Sequence, residues 1–294
     1  MDLKLSPFVP NDNIPKGSFT FAEFHGSGTG LFFSVKKVLF YEKSKFQEIQ
    51  IVETEEYGKM LILDGAVQTT ERDEFIYHEM LVHVPMFSHP EPKNILVIGG
   101  GDGGCVREIF KHKSVEKVTM VEIDKMVVDS AMKFLPSISS ELGHPKLDLR
   151  IEDAVKFVRR SSLSFDVIIV DSTDPVGFAS PLTTESFFRS SKRILKENGI
   201  YAAQTQGPFF ESKSMGIISK KIRKIFPRTS FYLANTPTYP GGMWSFALSC
   251  KNSKSDFKIH PRILKCKDLK YYSNEIHYAS FALPPYVKRI LGEK

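Results

Sequence analysis

A short apolar run and the glycine-rich loop after it decide the fold of this 294-residue chain. The run is Asn94-Ile-Leu-Val-Ile98, and the loop is Gly99-Gly-Gly-Asp-Gly-Gly104. The first, third and sixth loop residues fit the spacing G-x-G-x-x-G, at which a buried strand turns into a helix whose N-terminus receives a ligand. Glu122 ends the next predicted strand, 20 residues after Asp102, where an acidic side chain binds a ribose. The stretch therefore predicts a nucleotide- or nucleoside-binding βαβ unit.

The chain after this unit continues to alternate strands and helices. A helix is predicted over residues 73–86, and strands over 118–123, 147–151, 165–170, 199–204 and 229–233. Residues 231–234 and 245–249 can form a closing antiparallel pair. Such alternation is typical of an α/β fold with a doubly wound, mostly parallel, Rossmann-like sheet.

The chain before residue 70 has a different pattern. Apolar and polar residues alternate over 19–24, 31–41, 47–53 and 59–63, with glycines and an Asp64-Gly65 turn between them. The sequence therefore predicts a small antiparallel β domain over residues 1–70 and a Rossmann-like catalytic domain over residues 71–294.

Composition excludes several classes of protein. The chain is 41% hydrophobic and 25% charged, which is typical of globular proteins and unlike disordered or collagen-like chains. No apolar run approaches the roughly 20 residues of a membrane span, and the first 17 residues lack the apolar core of a secretory signal. Cys105, Cys250 and Cys266 lie far apart and suggest no disulfide framework. We expect a cytoplasmic protein without a membrane partner.

The net charge of +6 raises the question of nucleic-acid binding. The lysines and arginines are spread along the chain in short clusters, and no RRM, KH or helix-turn-helix signature is present. A solvated basic surface is the favoured interpretation, and no nucleic-acid partner is expected.

The charge of Asp102 narrows the class of ligand. A carboxylate in the glycine loop would repel a dinucleotide pyrophosphate, and also the methionyl carboxylate of S-adenosylmethionine. It suits a nucleoside whose tail carries an ammonium group and no carboxylate, such as decarboxylated S-adenosylmethionine. The alternative is that Asp102 only caps the following helix.

Two further acidic sites follow predicted strands. Asp171 and Asp174 come after strand 165–170, at the sheet edge where ligands bind, and they suit a cation. A metal is the weaker interpretation because no histidine lies at ligand spacing, and turn chemistry is the alternative. Asp153, which precedes Ala154, can accept a hydrogen bond from an adenine amino group or simply cap a helix.

Two aromatic stretches complete the candidate site. Residues 68–80 are dense in polar and aromatic groups, including Tyr77 and His78, at the junction of the two predicted domains. Residues 237–244, which include Tyr239, combine prolines and glycines around aromatics and form either a pocket wall or a turn.

Five motifs together resemble the polyamine aminopropyltransferase family, which includes the spermidine synthases. In chain order they are LDGAVQTTERDEFIYHEM, IGGGDGG, VEID, VDSTDP and PTYPGGMWSF, and the resemblance covers roughly residues 20 to 285. It implies a small β domain before a Rossmann-like domain, and a homodimer or homotetramer assembled through the N-terminal region. The implied reaction transfers an aminopropyl group from decarboxylated S-adenosylmethionine to putrescine, with no cofactor and no metal.

The resemblance also implies residue roles. The donor would contact Gln47, Gln68, Gly101, Asp102, Glu122, Asp153 and Ala154. The amine would contact Tyr77, His78, Asp102, Asp171, Asp174 and Tyr239, and Asp171 would be the catalytic proton acceptor.

The chain departs from the family pattern near the expected amine site. Phe178 stands where proline is usual, Pro181 is inserted, and residues 206–209 replace a commonly acidic segment. The acceptor therefore stays open between putrescine and agmatine, cadaverine or spermidine. An S-adenosylmethionine-dependent methyltransferase and a nicotinamide-dependent dehydrogenase are the rival enzymes, and Asp102 argues against both.

Overall fold

The computed structural model describes residues 19–25, 28–252, 257, 259–260 and 269–293. Its first sheet is antiparallel, in the order β1-β2-β3-β4-β5. The strands are β1 (Phe19–His25), β2 (Thr29–Lys43), β3 (Glu48–Thr54), β4 (Lys59–Leu63) and β5 (Ala66–Thr70). The expected antiparallel sheet is confirmed. The first 17 residues and Cys266 lie outside the described residues.

Strand β5 was not among the predicted strands. Its second half is polar, yet Thr69 and Thr70 are buried. Asp64 and Gly65 both have positive φ, of 48° and 81°, as a two-residue hairpin turn requires. This turn pairs Leu63 with Ala66 and brings the polar strand into the sheet, so tertiary pairing overrides the weak local pattern.

The second sheet has seven strands in the order β11-β12-β10-β9-β6-β7-β8. Its strands are β6 (Asn94–Gly99), β7 (Lys117–Glu122), β8 (Leu147–Ile151), β9 (Phe165–Asp171), β10 (Leu195–Gln204), β11 (Arg228–Asn235) and β12 (Met243–Cys250). The helices are α1 (Glu74–Ser88), α2 (Gly104–Phe110), α3 (Lys125–Phe134), α4 (Ala154–Arg160), α5 (Glu185–Ile194), α6 (Ser212–Ile225), α7 (Asn274–Ala279) and α8 (Pro285–Leu291), with a 3-10 helix at Gly177–Thr183. Strand β12 is antiparallel to both neighbours, and the other pairs are parallel, which confirms the doubly wound fold.

The apolar run that begins β6 is buried on both faces of this sheet. Ile95 and Val97 pack into the cluster that includes side chains of α1 and α2. Leu96 and Ile98 pack into the cluster on the opposite face, with side chains of α4, α5 and α6. A central parallel strand is covered on both sides, and this explains why its sequence is continuously apolar rather than alternating.

The connections reverse direction between β6 and β9. Strand β6 pairs with β7 on one side and with β9 on the other, so the loops after β6 and β9 diverge and open a crevice. Gly99 pairs with Asp171 across this point. A Cβ on Gly99, whose φ is +79°, would lie 2.0 Å from the Asp171 carbonyl oxygen, so the close approach requires glycine.

The first sheet packs against the second through helix α3. Apolar residues of β3 and β4 form one cluster with Val127, Leu135 and Ile138, which lie in and just after α3. This contact holds the first sheet beside the crevice. Cys105 and Cys250 are both buried, and neither takes part in a disulfide among the described residues. No helix in that part of the chain combines the length and apolar character needed to span a bilayer. The cytoplasmic location stays a prediction.

Candidate active site

A cavity of about 410 Å³ opens at the carboxyl ends of β6, β7 and β9. It is lined by all but one of the residues expected in the site: Gln47, Gln68, Tyr77, His78, Gly101, Asp102, Glu122, Asp153, Ala154, Asp171 and Tyr239. The remaining residue, Asp174, lines an adjoining extension of about 40 Å³. The structure therefore brings the strand-end acids and both aromatic stretches to one place.

One end of the cavity has apolar walls and polar anchors. Val121, Val155 and Leu182 line it together with Asp153. Asp153 Oδ1 accepts from the backbone N–H groups of Val155 (2.8 Å) and Lys156 (3.2 Å), so this residue does cap α4. It lies at the cavity as well, and capping does not exclude a ligand contact. Apolar walls with a few polar groups can bind the base of a nucleoside.

Glu122 lies at this end with little solvent contact. Its Oε1 accepts from the backbone N–H of Asp124 at 2.9 Å. Burial, with smaller contributions from the charges of Asp124 and Asp171, raises the pKa of Glu122 to about 7. Hydroxyl donors from a bound ribose would favour its ionised form.

Asp124 is a site neighbour that the sequence analysis missed. Its Oδ2 accepts from the amide of Gln47 (3.1 Å) and from the hydroxyl of Ser44 (2.6 Å). These bonds tie the loop before β3 to the end of β7. The available signal was its position two residues after Glu122.

Asp102 stands in a chain of charged groups. Its Oδ1 accepts from the N–H of Gly104 at 2.8 Å, and its Oδ2 lies 3.4 Å from His78 Nε2. His78 Nδ1 lies 2.6 Å from Glu74 Oε2. A Cβ on Gly104 would lie 2.3 Å from the His78 ring, so the last glycine of the loop makes room for the imidazole. Asp102 therefore accepts from the first N–H of α2, one residue before the N-cap Gly103, and lies beside the His78 ring.

The pKa values of these groups follow from their surroundings. Burial opposes ionisation of Asp102, but the His78 charge, its hydrogen bond and the Gly104 amide outweigh burial and hold the Asp102 pKa below its ordinary value. Burial likewise opposes protonation of His78, but Asp102 and Glu74 outweigh it and raise the His78 pKa well above its usual range. Both shifts favour an ionised Asp102 beside a protonated His78.

Asp171 has neutral partners instead. The Tyr77 hydroxyl donates to its Oδ1 at 2.8 Å, and the Cys105 thiol donates to its Oδ2 at 3.2 Å. Burial and then the charge of Asp102 raise the pKa of Asp171. A half-buried carboxylate with a raised pKa is suited to accept a proton. Cys105 was missed as a site residue, because nothing in the sequence distinguishes it from a core cysteine.

The cavity extension beside Asp174 contains more acidic side chains than the sequence predicts. Asp174 Oδ1 accepts from the Gln206 amide at 3.0 Å, and Glu23 lines the same extension. Burial, followed by the charges of Asp174 and Glu23, raises the pKa of Glu211 to about 7. Glu23 and Glu211 were both missed, since one sits in a regular strand pattern and the other just before a helix.

The departures from the family pattern lie on the cavity wall. Phe178, Pro181 and Leu182 belong to the 3-10 helix and line the cavity. The Phe178 ring packs on Phe46, with centroids 5.8 Å apart. The departing segment thus forms an ordered wall that spans from the second sheet toward the first.

Three side chains provide the donor types of a metal centre. One ligand atom each from His78, Cys105 and Asp171 lie within 4.8 Å of one another. Both His78 nitrogens already face carboxylates, and the Cys105 thiol donates to Asp171. In the structure these three side chains therefore contact carboxylates or one another.

Family models match both parts of the chain. The model described as the spermine/spermidine synthase domain matches residues 74–259. The model described as the spermidine synthase tetramerisation domain matches residues 19–71. The two matches meet between β5 and α1.

Curated and solved relatives agree with these models. The polyamine aminopropyltransferase of Thermoanaerobacter sp. (strain X514) is 47% identical over 262 residues, which cover 88% of this chain and 93% of the relative. That of Bacillus subtilis (strain 168) is 45% identical over 262 residues, which cover 89% of this chain and 95% of the relative. A spermidine synthase solved with the transition-state analogue AdoDATO has a TM-score of 0.89 at 42% identity, covering 93% of this chain and 94% of its own. The spermidine synthase of Thermotoga maritima has a TM-score of 0.89 at 40% identity and covers 99% of both chains. The chain therefore belongs to the spermine/spermidine synthase family of polyamine aminopropyltransferases.

Proposed function

We propose that the protein transfers the aminopropyl group of decarboxylated S-adenosylmethionine to putrescine, giving spermidine and 5'-methylthioadenosine. One observation carries the proposal: two carboxylates, the buried Asp102 and the half-buried Asp171, face one cavity beside an apolar end. An anion in the glycine loop favours a donor whose tail is an ammonium and disfavours one whose tail ends in a carboxylate. The names of the relatives support the same chemistry.

Donor binding assigns the first set of roles. Glu122 would accept from the ribose hydroxyls, Asp153 would accept from the adenine amino group, and Asp102 would bind the aminopropyl ammonium. Gln47, Gln68, Gly101 and Ala154 complete the donor contacts. Alignment of two bound substrates supplies much of the rate, because the sulfonium already carries a good leaving group.

The reaction needs a free amine. A primary amine with a pKa near 10.4 is unprotonated in roughly one molecule in a few thousand at pH 7. Asp171 accepts a proton from the attacking ammonium. The nitrogen lone pair then forms a bond to the propyl carbon, the carbon–sulfur bond breaks, and its electron pair remains on sulfur as a thioether. Charge balances because the sulfonium charge is lost as the new secondary ammonium forms.

The acceptor end favours a compact diamine. The extension beside Asp174 measures about 40 Å³ and is lined by Glu23, Tyr77 and Tyr239. A distal ammonium fits this acidic space better than the bulkier, planar guanidinium of agmatine. The acidic lining also reconciles cation binding with the basic net charge, since local fields dominate at short range.

The test is release of 5'-methylthioadenosine from decarboxylated S-adenosylmethionine, with putrescine and agmatine as parallel acceptors. Release mainly with putrescine is the expected outcome. Release mainly with agmatine would keep the chemistry and change the acceptor. A folded protein that releases no product with either would overturn the proposal and favour the methyltransferase alternative.

We also infer a homo-oligomer assembled through the first sheet. Its match to a tetramerisation domain supports this, as do two exposed aromatics, Phe24 (69% exposed) and Phe32 (59% exposed). Phe32 pairs with Ala22, so Phe24 and Phe32 share one face of the sheet. Sedimentation equilibrium of the full chain distinguishes a dimer from a tetramer, and a monomer would contradict the inference.

A further inference from the structure

Three side chains of different chemistry meet beside the cavity. One ligand atom each from His78, Cys105 and Asp171 lie within 4.8 Å of one another. His78 and Asp171 line the cavity, and the fully buried Cys105 contacts Asp171. The proposed aminopropyl transfer uses the Asp171 carboxylate as a base and gives the thiol no role. A thiolate, an imidazole and a carboxylate are the three ligand types that bind zinc in proteins.

The spacing of these atoms is close to that of a zinc centre. With bonds of about 2.3 Å to sulfur and about 2.0 Å to oxygen or nitrogen, neighbouring ligands of a tetrahedral ion lie about 3.3–3.6 Å apart. Cys105 Sγ and Asp171 Oδ2 are already 3.2 Å apart, with the thiol proton between them. An ion that replaces this proton finds two ligand atoms in place, and the third must approach by at most about 1.5 Å.

The neighbours of the three side chains orient them for an ion. His78 Nδ1 lies 2.6 Å from Glu74 Oε2, and Arg107 Nη2 donates to the same oxygen at 2.8 Å. A carboxylate beside one ring nitrogen fixes the imidazole and leaves the other nitrogen for a metal, as is common among metal-binding histidines. The Tyr77 hydroxyl donates to Oδ1 of Asp171, so the other oxygen, Oδ2, faces the thiol.

The charge around the cluster favours a cation. Asp102 Oδ2 lies 3.4 Å from His78 Nε2 and places a further carboxylate beside the ring. Binding is an exchange of protons for the ion. The divalent aqua ion loses water, the sulfur–hydrogen bond of Cys105 breaks, and its electron pair forms the bond to the metal. The thiol proton, and any proton on Nε2, pass to solvent.

We propose that His78, Cys105 and Asp171 form a binding site for a thiophilic divalent cation such as Zn²⁺, and that the bound ion inhibits the protein. The sulfur ligand selects against Mg²⁺ and Ca²⁺, which take oxygen ligands. The ion engages the carboxylate that is proposed to accept the proton, and it places positive charge where the donor's ammonium group is expected. The metal site is independent of the proposed function, and the inhibition rests on it.

A cobalt titration tests the site without any substrate. Co²⁺ is a spectroscopic substitute for Zn²⁺, and a thiolate ligand gives it an intense near-ultraviolet charge-transfer band. We expect the metal-free wild-type chain to develop this band in a one-to-one titration. Cys105→Val should lack the band, whereas Cys250→Val, the matched change of another buried cysteine, should keep it. A folded wild-type chain without the band, or a Cys105→Val chain that keeps it, would overturn the proposal.

Two buried glutamates of α1 test whether His78 is a ligand. Glu74→Gln removes the charge beside Nδ1 and should weaken Co²⁺ binding about tenfold, because partners of metal-binding histidines contribute about 10- to 100-fold to affinity. Glu79→Gln is the matched control, since the described bonds of the Glu79 carboxylate come from backbone N–H groups of residues 270–272. It should leave the affinity within about twofold. Equal affinities in the two variants would remove His78 from the ligand set and overturn the three-residue site.

Inhibition is measured for each variant against its own turnover in the presence of EDTA. We expect buffered Zn²⁺ to stop wild-type turnover and EDTA to restore it. Cys105→Val should need about tenfold more free Zn²⁺ for half-inhibition, and Cys250→Val should match wild type. Equal sensitivity of wild type and Cys105→Val would overturn the inhibitory role. A chain without turnover even in EDTA would contradict the proposed function, while the cobalt titration would still decide the metal site.

Discussion

The loops after β6 and β9 carry the same chemical group in two different environments. Asp102, in the loop after β6, receives a backbone N–H and lies 3.4 Å from Nε2 of His78. Asp171, at the end of β9, receives a phenol and a thiol, both neutral. Charged partners lower the pKa of Asp102, although burial opposes this, and burial raises the pKa of Asp171. Neighbours, more than residue type, thus shift the pKa values of two aspartates in opposite directions, which supports the proposed role of Asp171 as proton acceptor.

The ionisation of the two aspartates is also coupled. The charge of Asp102 is, after burial, the next contribution that raises the pKa of Asp171. Replacing Asp102 is therefore expected to change the pKa of Asp171 as well. The following predictions on turnover and binding run from the largest expected effect to the smallest, and one on stability comes after them.

Replacing Asp171 with asparagine removes the proton acceptor. We expect turnover to fall about 1,000-fold, because general-base catalysis contributes factors of this order. The thermal midpoint should stay the same or rise, since the substitution removes a half-buried carboxylate with a raised pKa. Single-turnover kinetics and calorimetry provide the two measurements. Near-wild-type turnover would remove Asp171 from the role of base.

Replacing Asp102 with asparagine should act on binding. Asparagine keeps an oxygen for the Gly104 N–H, so α2 stays capped, but the charge is lost. We expect the affinity for the donor to fall about 10- to 100-fold, as for a hydrogen bond to a charged group. The loss of this negative charge also lowers the pKa of Asp171. The decline of turnover on the acid side of its pH profile should therefore move to lower pH. Unchanged donor affinity, measured by titration calorimetry, would leave only the capping role.

Replacing Tyr77 with phenylalanine removes a donor to Asp171 while keeping the ring. That hydrogen bond favours the ionised carboxylate, so its loss raises the pKa of Asp171 further. We expect kcat to fall about tenfold at pH 7, with the acid limb moved to higher pH. Cys105→Val is the matched variant for the other oxygen. We expect Cys105→Val to lower kcat only about threefold, because a thiol is a weak hydrogen-bond donor. Equal pH profiles in wild type and Tyr77→Phe would contradict the assignment.

Glu122 extends the comparison to the end of β7, where the nearby hydrogen-bond donors are backbone amides. Its folded pKa of about 7 exceeds its ordinary value of 4.5, so the folded state binds more protons between these pH values. The free protein should therefore lose stability as pH rises through this window. Glu122→Gln has no carboxyl group to titrate, so its stability relative to wild type should grow by about 2.5 kcal/mol from pH 5 to pH 8. Glutamine keeps one oxygen to accept from the Asp124 amide. Thermal unfolding at both pH values measures this, and an advantage independent of pH would contradict it.

The sequence predicts the sheet well because the decisive signals are local. Buried parallel strands form apolar runs, a strand-to-helix turn needs glycine, and ligand-binding acids follow directly after strands. Asp102, Glu122 and Asp171 were all found in this way, and the structure places them around one cavity.

Tyr77 and His78 were expected in the site, but the contacts among the site residues were not predicted, because the partners come from distant parts of the chain. Tyr77 and Asp171 are 94 residues apart, and Arg107 and Glu74 are 33 residues apart. Cys105 and Glu23 carry no local pattern that separates a site residue from a core residue. The sequence can indicate which groups do the chemistry, whereas their ionisation depends on packing that only the folded chain brings together.

The close approach of Gly99 to the Asp171 carbonyl has a consequence for how this scaffold can diversify. The Gly100 N–H donates to the same carbonyl at 2.8 Å, so the loop that holds Asp102 and the strand that carries Asp171 are joined through the main chain. An insertion in either segment would displace both groups at once. The 3-10 helix lines the same cavity and takes no part in this main-chain link, so we expect substitutions there to alter the fit of a ligand and leave the link intact.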